Sequence, residues 1–546
     1  MNTTAAAAPS RSANAAAPKY ALRVYNTLSK TKEPLETLQP GKVGIYLCGP
    51  TVYKPSHIGH MVGPIIFDSI KRYLTYVGYQ VTWVVNITDV DDKLIAEANK
   101  RGLTMQAVAE EMTADYHRNL GAMGIDTIDH FPKATEHMAE IIDFTQKLID
   151  RGFAYEAEGD VFFDVGRDRE YGKLSGRSLE AMQGEGGGAA GRKKSSTDFA
   201  LWKGAKPGEP SWKSPWGEGR PGWHIECSAM AGKILGESFD IHGGGLDLVF
   251  PHHENEVAQS ECCHGKPLAK YWMHNGLMQA TGESGKVGGR SRQAGEVGAA
   301  SSVAEGDQAA QEAGKIGKSK GAAAFSDLLK KYAGETIRFF LLSTHYRRPI
   351  DFSEERIDDV EKGLDQFYRF FERYKRVTGE DFYTLAAAAK REQGEFTPGV
   401  DAIEQAVAEH RKKFLEAMDD DFNTGGAIGD LFELVRLLNR FVDAEKLEGA
   451  GKSDAAKLAV LKRGASVMRE LANTVGLFRS PVQKPGSSAG AGDELVGKLM
   501  KLFIEVRADA RKNKNFATAD GIRKGLAEIG VVLEDRPDGT SWSVQK

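Results

Sequence analysis

Between residues 43 and 85 the apolar positions change period twice. Val43 to Cys48 reads as a β-strand. Ile66, Ile70, Tyr73, Leu74 and Val77 then recur at i, i+4, i+7, i+8 and i+11, the stripe of an amphipathic helix, and Val81, Trp83 and Val85 alternate as a strand does. Strand, glycine-containing turn, helix and strand make the βαβ unit of nucleotide-binding folds, in which ligand sits at the carboxyl ends of the strands. Strand-like and helix-like segments keep alternating to about residue 350. From about 355 the pattern is helical. Val360, Leu364, Phe367, Phe371 and Tyr374 mark one face of a bundle helix, and similar helices are expected around 401–418, 425–444 and 454–475. The end of the chain reads as two helices, the second over 516–529, followed by strands over 531–535 and 540–544 joined at Pro537-Asp538-Gly539.

These patterns predict an α/β protein: a Rossmann-like nucleotide-binding catalytic domain with insertions over 19–354, an all-α helical bundle over 355–480, a linker over 481–492 and a small α+β C-terminal module over 493–546. Residues 1–18 are rich in Ala, Ser and Pro and lack the apolar core of a secretory signal, so they are expected to be a disordered tail. The Gly-rich stretch over 184–194 reads as a loop. The segment 281–314 contains almost no large apolar residue and reads as a disordered, functionally neutral insertion.

Composition changes little. The chain's 546 residues suit three or four domains, and no stretch nears the roughly 20 apolar residues of a membrane span. A net charge of −4 excludes a uniformly basic nucleic-acid binder but leaves room for a local basic track. Four cysteines in so long a chain exclude a disulfide scaffold and suggest a reducing compartment; Cys262 and Cys263 read as buried or helix-surface thiols.

The candidate chemistry starts with His57-Ile58-Gly59-His60, at the predicted start of the first helix, where histidine donors would join the helix dipole in favouring phosphate. Cys48, Cys227, His252 and Glu256 are residue types that bind zinc, and His252 and Glu256 share a face if helical; His253 competes as a ligand. Gly317-Lys318-Ser319 looks like the end of a P-loop, but Glu312 stands where that pattern needs glycine. A mobile lysine-rich loop over Lys315 to Gly321 that clamps phosphates is the reading that remains.

Together these motifs resemble the cysteinyl-tRNA synthetase family of class I aminoacyl-tRNA synthetases, from about residue 20 to the C-terminus. The resemblance rests on Cys48-Gly49-Pro50-Thr51-Val52-Tyr53, the His57 to His60 signature, Asn86 to Lys93, Gly222 to Met230, Asp240 to Gly245, Phe250 to Glu256, Met418 to Thr424 and Leu533-Glu534-Asp535. It implies ATP-dependent attachment of L-cysteine to cysteine tRNA through a cysteinyl-adenylate, by a cytoplasmic, monomeric enzyme that does not enter membranes. It further implies one zinc ion per subunit on Cys48, Cys227, His252 and Glu256, selecting the substrate thiol, with Mg²⁺ accompanying ATP. Thr88, Trp223 and His224 would line the cysteine pocket. His57, His60, Lys315 and Lys318 would stabilise the transferring phosphate; Gly243, Gly244, Gly245 and Asp247 would hold the nucleoside. Arg511, Asp520, Asp535 and Trp542 would read the anticodon. The lysine loop departs from the family, with Ile316 for Met, Gly317 for Ser, Lys320 for Leu and Ala322 for Asn. Leu246 replaces a small polar residue, and Gly425-Gly426 weakens a helix start. Two rival expectations share the core: an ATP-dependent cysteine:amino-sugar ligase, which would lack the terminal module, and a non-catalytic RNA-binding relative.

Overall fold

A computed structural model describes residues 20–178, 191–280, 324–482, 491–536 and 539–544. The expected tail, the insertion 281–314, residues 315–323 with Lys315 and Lys318, and most of the 184–194 loop lie outside these residues. The described residues fall into two compact units: most of those up to Pro481, and those from Val482 onward together with Lys330–Ala333. The α/β body and the helical bundle belong to the first unit together.

Its centre is a four-stranded parallel sheet in the spatial order Ala269–Asn275, Phe239–Gly245, Lys42–Leu47, Gln80–Val85. The chain leaves Lys42–Leu47 toward one edge and later fills the other. The topological switch therefore lies between Lys42–Leu47 and Phe239–Gly245, and ligands of such sheets bind outside the carboxyl ends at that point. Cys48 and Gly243 to Gly245 stand there, and the Cys48 N–H bonds the Gly243 carbonyl at 3.2 Å. A five-stranded antiparallel sheet, from Ala154–Ala157 to Gly217–Pro221, is inserted before the third parallel strand.

Periodicity predicted one buried face for the first helix, Gly59–Val77. All five stripe residues are buried, but so are Met61, Val62, Ile65 and Phe67. The helix lies between the sheet and the helices that follow, and a helix covered on both sides loses its polar face. The same covering buries Val84 beside Trp83 and Val85, so the alternation in Gln80–Val85 is only partial.

Buried charges join body and bundle. Asp68 of the first helix accepts from Arg72 and Arg338 and from the Thr127 hydroxyl, and Arg338 Nε also donates to the Val475 carbonyl at 3.0 Å. The bundle helices are Glu354–Thr378, Ala402–Asp419, Thr424–Ala444 and Ala455–Thr474. The Gly425-Gly426 weakness is offset by Asn423, whose side chain accepts from the Gly426 N–H. A Cβ at Gly425 would lie 3.0 Å from the Ser343 carbonyl, so glycine permits that close approach.

In the second unit, helices Ala491–Lys512 and Phe516–Glu528 pack on the antiparallel pair Val531–Arg536 and Gly539–Val544 over a small core of Met500, Leu526, Val531 and Leu533.

Candidate active site

A cavity of about 620 Å³ opens at the switch point, lined in part by Cys48, His57, His60, Trp223, Gly244, Gly245 and Asp247. The His57-Ile58-Gly59-His60 turn is self-bracing. The Gly59 N–H donates to His57 Nδ1 at 3.1 Å, and the His57 N–H donates to His60 Nδ1 at 3.2 Å. A ring nitrogen that accepts carries no proton, so both neutral rings hold their hydrogen on Nε2, as donors. The two rings lie 3.8 Å apart, centroid to centroid, at the N-terminus of Gly59–Val77, where the helix dipole favours anions.

Cys48 of the cavity wall converges with Cys227, His252 and Glu256, with one donor atom from each within 4.8 Å of all the others. Cys48 Sγ lies 3.8 Å from Cys227 Sγ and 3.4 Å from Glu256 Oε1, and His252 Nε2 lies 3.0 Å from the same Oε1. All but Cys48 are almost wholly buried. A hydrogen bond from Cys48 and the neighbouring His252 draw the Cys227 thiol down to about 6 against its burial. Burial pushes Cys48 up, and Cys227 and Glu256 push it further. Burial alone would depress His252, but Cys227 and Glu256 outweigh it and raise it to about 10. Burial would raise Glu256, but His242 and His252 hold it at about 2. Clustered thiolate and carboxylate in a low-dielectric pocket are a donor set suited to a divalent cation.

A second set, Cys48, His242, His253 and Glu256, meets the same distance criterion. Only the first contains both thiols; in the second, His253 Nδ1 pairs with His274 Nε2 at 2.7 Å while Nε2 faces Cys48 Sγ at 3.3 Å. His242 Nε2 bonds Glu256 Oε2 at 2.8 Å, which orients the carboxylate. His242 and His274 were not singled out from the sequence. The available signal was a histidine inside each of two otherwise buried strand runs, where a polar ring must find a partner.

The other expected residues divide between cavity and surroundings. Trp223 remains 39% exposed on the cavity wall, its ring 4.4 Å from that of His252. His224 supports His252 from behind, Nδ1 to Nδ1 at 2.9 Å. Thr88 is buried beneath Thr51, which does line the cavity; its hydroxyl accepts from Asn86 at 3.4 Å and bonds the Glu226 side chain. Gly244 and Gly245 reach the cavity, whereas Gly243 is needed for packing: a Cβ there would lie 2.1 Å from the Phe67 ring. Leu246 packs on the apolar core, which accounts for its departure from a polar residue. Lys315 and Lys318 are not described, but both described ends of their segment reach the site. Met278 lines the cavity, and the Phe325 N–H bonds the carbonyl of Ser56, next to His57.

In the C-terminal unit, Arg511, Asp520 and Trp542 are exposed. Asp535 is engaged: Arg507 donates to both its oxygens at 2.7 Å, Arg511 to one at 3.3 Å, and the Thr540 hydroxyl at 2.8 Å.

The sequence matches three family profiles: the tRNA synthetases class I (C) catalytic domain over residues 34–287 and 307–362, the DALR domain over 413–479, and the cysteinyl-tRNA ligase anticodon binding domain over 503–542. The catalytic match skips 288–306, inside the low-complexity segment. The chain is 44% identical to the cysteine–tRNA ligase of Geobacter metallireducens over 96% of its own length and 100% of that protein. It is 42% identical to that of Thermococcus onnurineus over 96% and 99%. Among solved structures, the methionyl-tRNA synthetase of Mycobacterium tuberculosis bound by methionyl-adenylate shares the fold, with a TM-score of 0.55 at 14% identity over 80% of this chain and 90% of that one. No helix among the described residues is long and apolar enough to cross a membrane.

Proposed function

The chain belongs to the cysteinyl-tRNA synthetase family, and from that premise we propose how its own side chains divide the work of charging cysteine tRNA. The overall reaction has two steps. A carboxylate oxygen of L-cysteine attacks the α-phosphorus of ATP, which arrives with Mg²⁺; the bond to the bridging oxygen of the β-phosphate breaks and pyrophosphate leaves. The terminal ribose hydroxyl of the tRNA then attacks the carbonyl of the adenylate. The new ester forms as AMP departs with the electron pair, and the hydroxyl proton passes to solvent.

His57 and His60 donate through Nε2–H to the oxygens on which charge develops at the α-phosphorus, and Lys315 and Lys318 neutralise the outgoing phosphates. Gly244, Gly245 and Asp247 hold the nucleoside, Gly243 keeping the strand end close-packed beneath them. Trp223 walls the amino-acid subsite, while Thr88 and His224 hold the residues that touch it. Cys48, Cys227, His252 and Glu256 hold a zinc ion, which when bound offers the substrate thiol a bond that a serine hydroxyl makes poorly. The observation that carries this reading is the double position of Cys48, which both lines the cavity and belongs to the buried ligand cluster. A site built around a required bond can discriminate by about 10⁴–10⁵-fold without editing. Arg511, Asp520 and Trp542 face the anticodon, with Asp535 holding Arg511 and Arg507 by hydrogen bonds.

The amino-sugar ligase reading does not account for the anticodon-binding match over 503–542. The direct test is charging of cysteine tRNA with labelled cysteine and ATP, with serine in parallel. Cysteine-specific label on the tRNA is expected. Equal charging with serine would overturn the thiol-selection reading, and no label with either amino acid would overturn the activity itself.

A further inference from the structure

The His57-Ile58-Gly59-His60 turn is braced within itself, but bonds between its own members do not fix where it stands against the body. The residue before it ties it down. Ser56 is buried, and both its backbone polar groups are taken by distant segments. Its N–H donates to Asp115 Oδ2 at 2.9 Å, and its carbonyl accepts from the Phe325 N–H at 2.8 Å. No side chain caps the helix Gly59–Val77 at Ile58, so the usual local anchor of a helix start is missing here.

Asp115 is itself held in place. It lies on the helix Met105–Ala122, which packs against both Gly59–Val77 and the short helix Phe325–Leu329. The Asn119 side-chain amide donates to the same Oδ2 at 3.1 Å, and Arg118 lies 3.6 Å from Oδ1. Tyr116, the next residue, lines the cavity. A buried N–H that loses its acceptor either stays unpaired, at a cost, or moves to find another partner. Movement of Ser56 would carry His57 with it, and a misplacement of about 1 Å can cost about 10²-fold in rate. Resting on the tRNA-charging reading above, we propose that Asp115 is a positioning residue for adenylate formation: through the Ser56 backbone it sets His57 and His60 against the α-phosphate. It serves as a hydrogen-bond acceptor, and its charge is not what the step requires.

The two half-reactions separate this role from a merely structural one. Bonds to phosphorus change only in the first; in the second the acyl carbon exchanges its oxygen. With full-length enzyme and rates taken per zinc-containing subunit, Asp115→Ala is expected to lower kcat for cysteine-dependent pyrophosphate exchange roughly ten- to hundredfold. KM for cysteine, and single-turnover transfer from preformed cysteinyl-adenylate to tRNA, should stay within about twofold of wild type. Asp115→Asn keeps an oxygen acceptor for the Ser56 N–H and is expected to restore exchange to within about threefold. Asp115→Glu keeps the charge but moves the acceptor by one methylene, and should slow exchange with transfer unchanged. Wild-type exchange by Asp115→Ala or Asp115→Glu, a parallel fall in exchange and transfer, or no recovery with Asp115→Asn would each overturn the proposal. A wild type that does not exchange with cysteine would overturn the tRNA-charging reading itself, and the proposal with it.

Discussion

The buried cluster around Cys227 and the C-terminal module hold their chemistry in opposite environments. Cys227, His252 and Glu256 are at most 2% exposed, whereas Phe516 and Trp542 of the module leave 58% and 36% of their surface to solvent. Burial strengthens every charge interaction in the first region and makes each member indispensable to the others. Exposure in the second spreads recognition over many weak, salt-screened contacts. The same contrast separates two carboxylates that have similar partners. Asp68 gathers Arg72, Arg338 and Thr127 with no exposed surface; Asp535 gathers Arg507, Arg511 and Thr540 with 31% of its side chain exposed. Single substitutions should therefore be severe in the buried region and graded in the module.

The largest effect is expected for Cys227→Ala. Loss of a buried thiol ligand should lower kcat/KM for cysteine activation by about 10³-fold or more, approaching the limit of a required bond, and should reduce bound zinc measured by elemental analysis. Retained zinc with normal activation would break the contrast at its strongest point.

Asp68→Asn comes next. It strands the Arg338 guanidinium, which stays charged despite burial, at a cost of about 3–5 kcal/mol in urea-induced unfolding. Burial would raise the Asp68 carboxyl, but Arg338 and Arg72 hold it below its ordinary value. A depressed native pKa gives stability that is fully present above the unfolded-state value near 4 and is lost as pH falls through the native one. Wild type should therefore lose stability on acidification below about pH 4, and Asp68→Asn should lose less over the same window.

Asp535→Asn tests the exposed counterpart. Hydrogen bonds from Arg507, then Thr540, hold this carboxyl well below the usual range, but solvent screens the pairs. A loss of about 1 kcal/mol, or fivefold in tRNA affinity, is expected with no change in pyrophosphate exchange. Arg511→Ala should be smaller still, weakening tRNA binding about two- to threefold and reducing its salt dependence. A tenfold change in exchange with either variant would deny the separation between the two regions.

The legibility of the sequence follows the same division. Helix and strand periods located the first helix, the bundle helices and the terminal strands, because local repeats follow local geometry. They do not reveal that Gly59–Val77 is covered on both sides, since Asp68 and Lys71 look like solvent-facing residues until Arg338 and Asp129 are brought to them by the fold. Periodicity said nothing about Cys48 meeting Cys227, because the two lie far apart in the chain; resemblance supplied that set. His242, which braces Glu256, carries no local pattern that distinguishes it from the rest of its buried strand. The pairing of Asp535 with Arg507 and Arg511 is not legible in the sequence, because it depends on a helix 24–28 residues away folding against its strand. Polar partners distant in sequence are what sequence pattern cannot pair.

The central claim is that the buried cluster selects the thiol. Its most direct test is the ratio of cysteine- to serine-dependent pyrophosphate exchange, measured on zinc-loaded enzyme, after chelation, and after zinc is restored, with metal content determined at each stage. A strong preference for cysteine that collapses as zinc leaves and returns when it is restored is expected. A metal-free enzyme that still prefers cysteine to the same degree would contradict it.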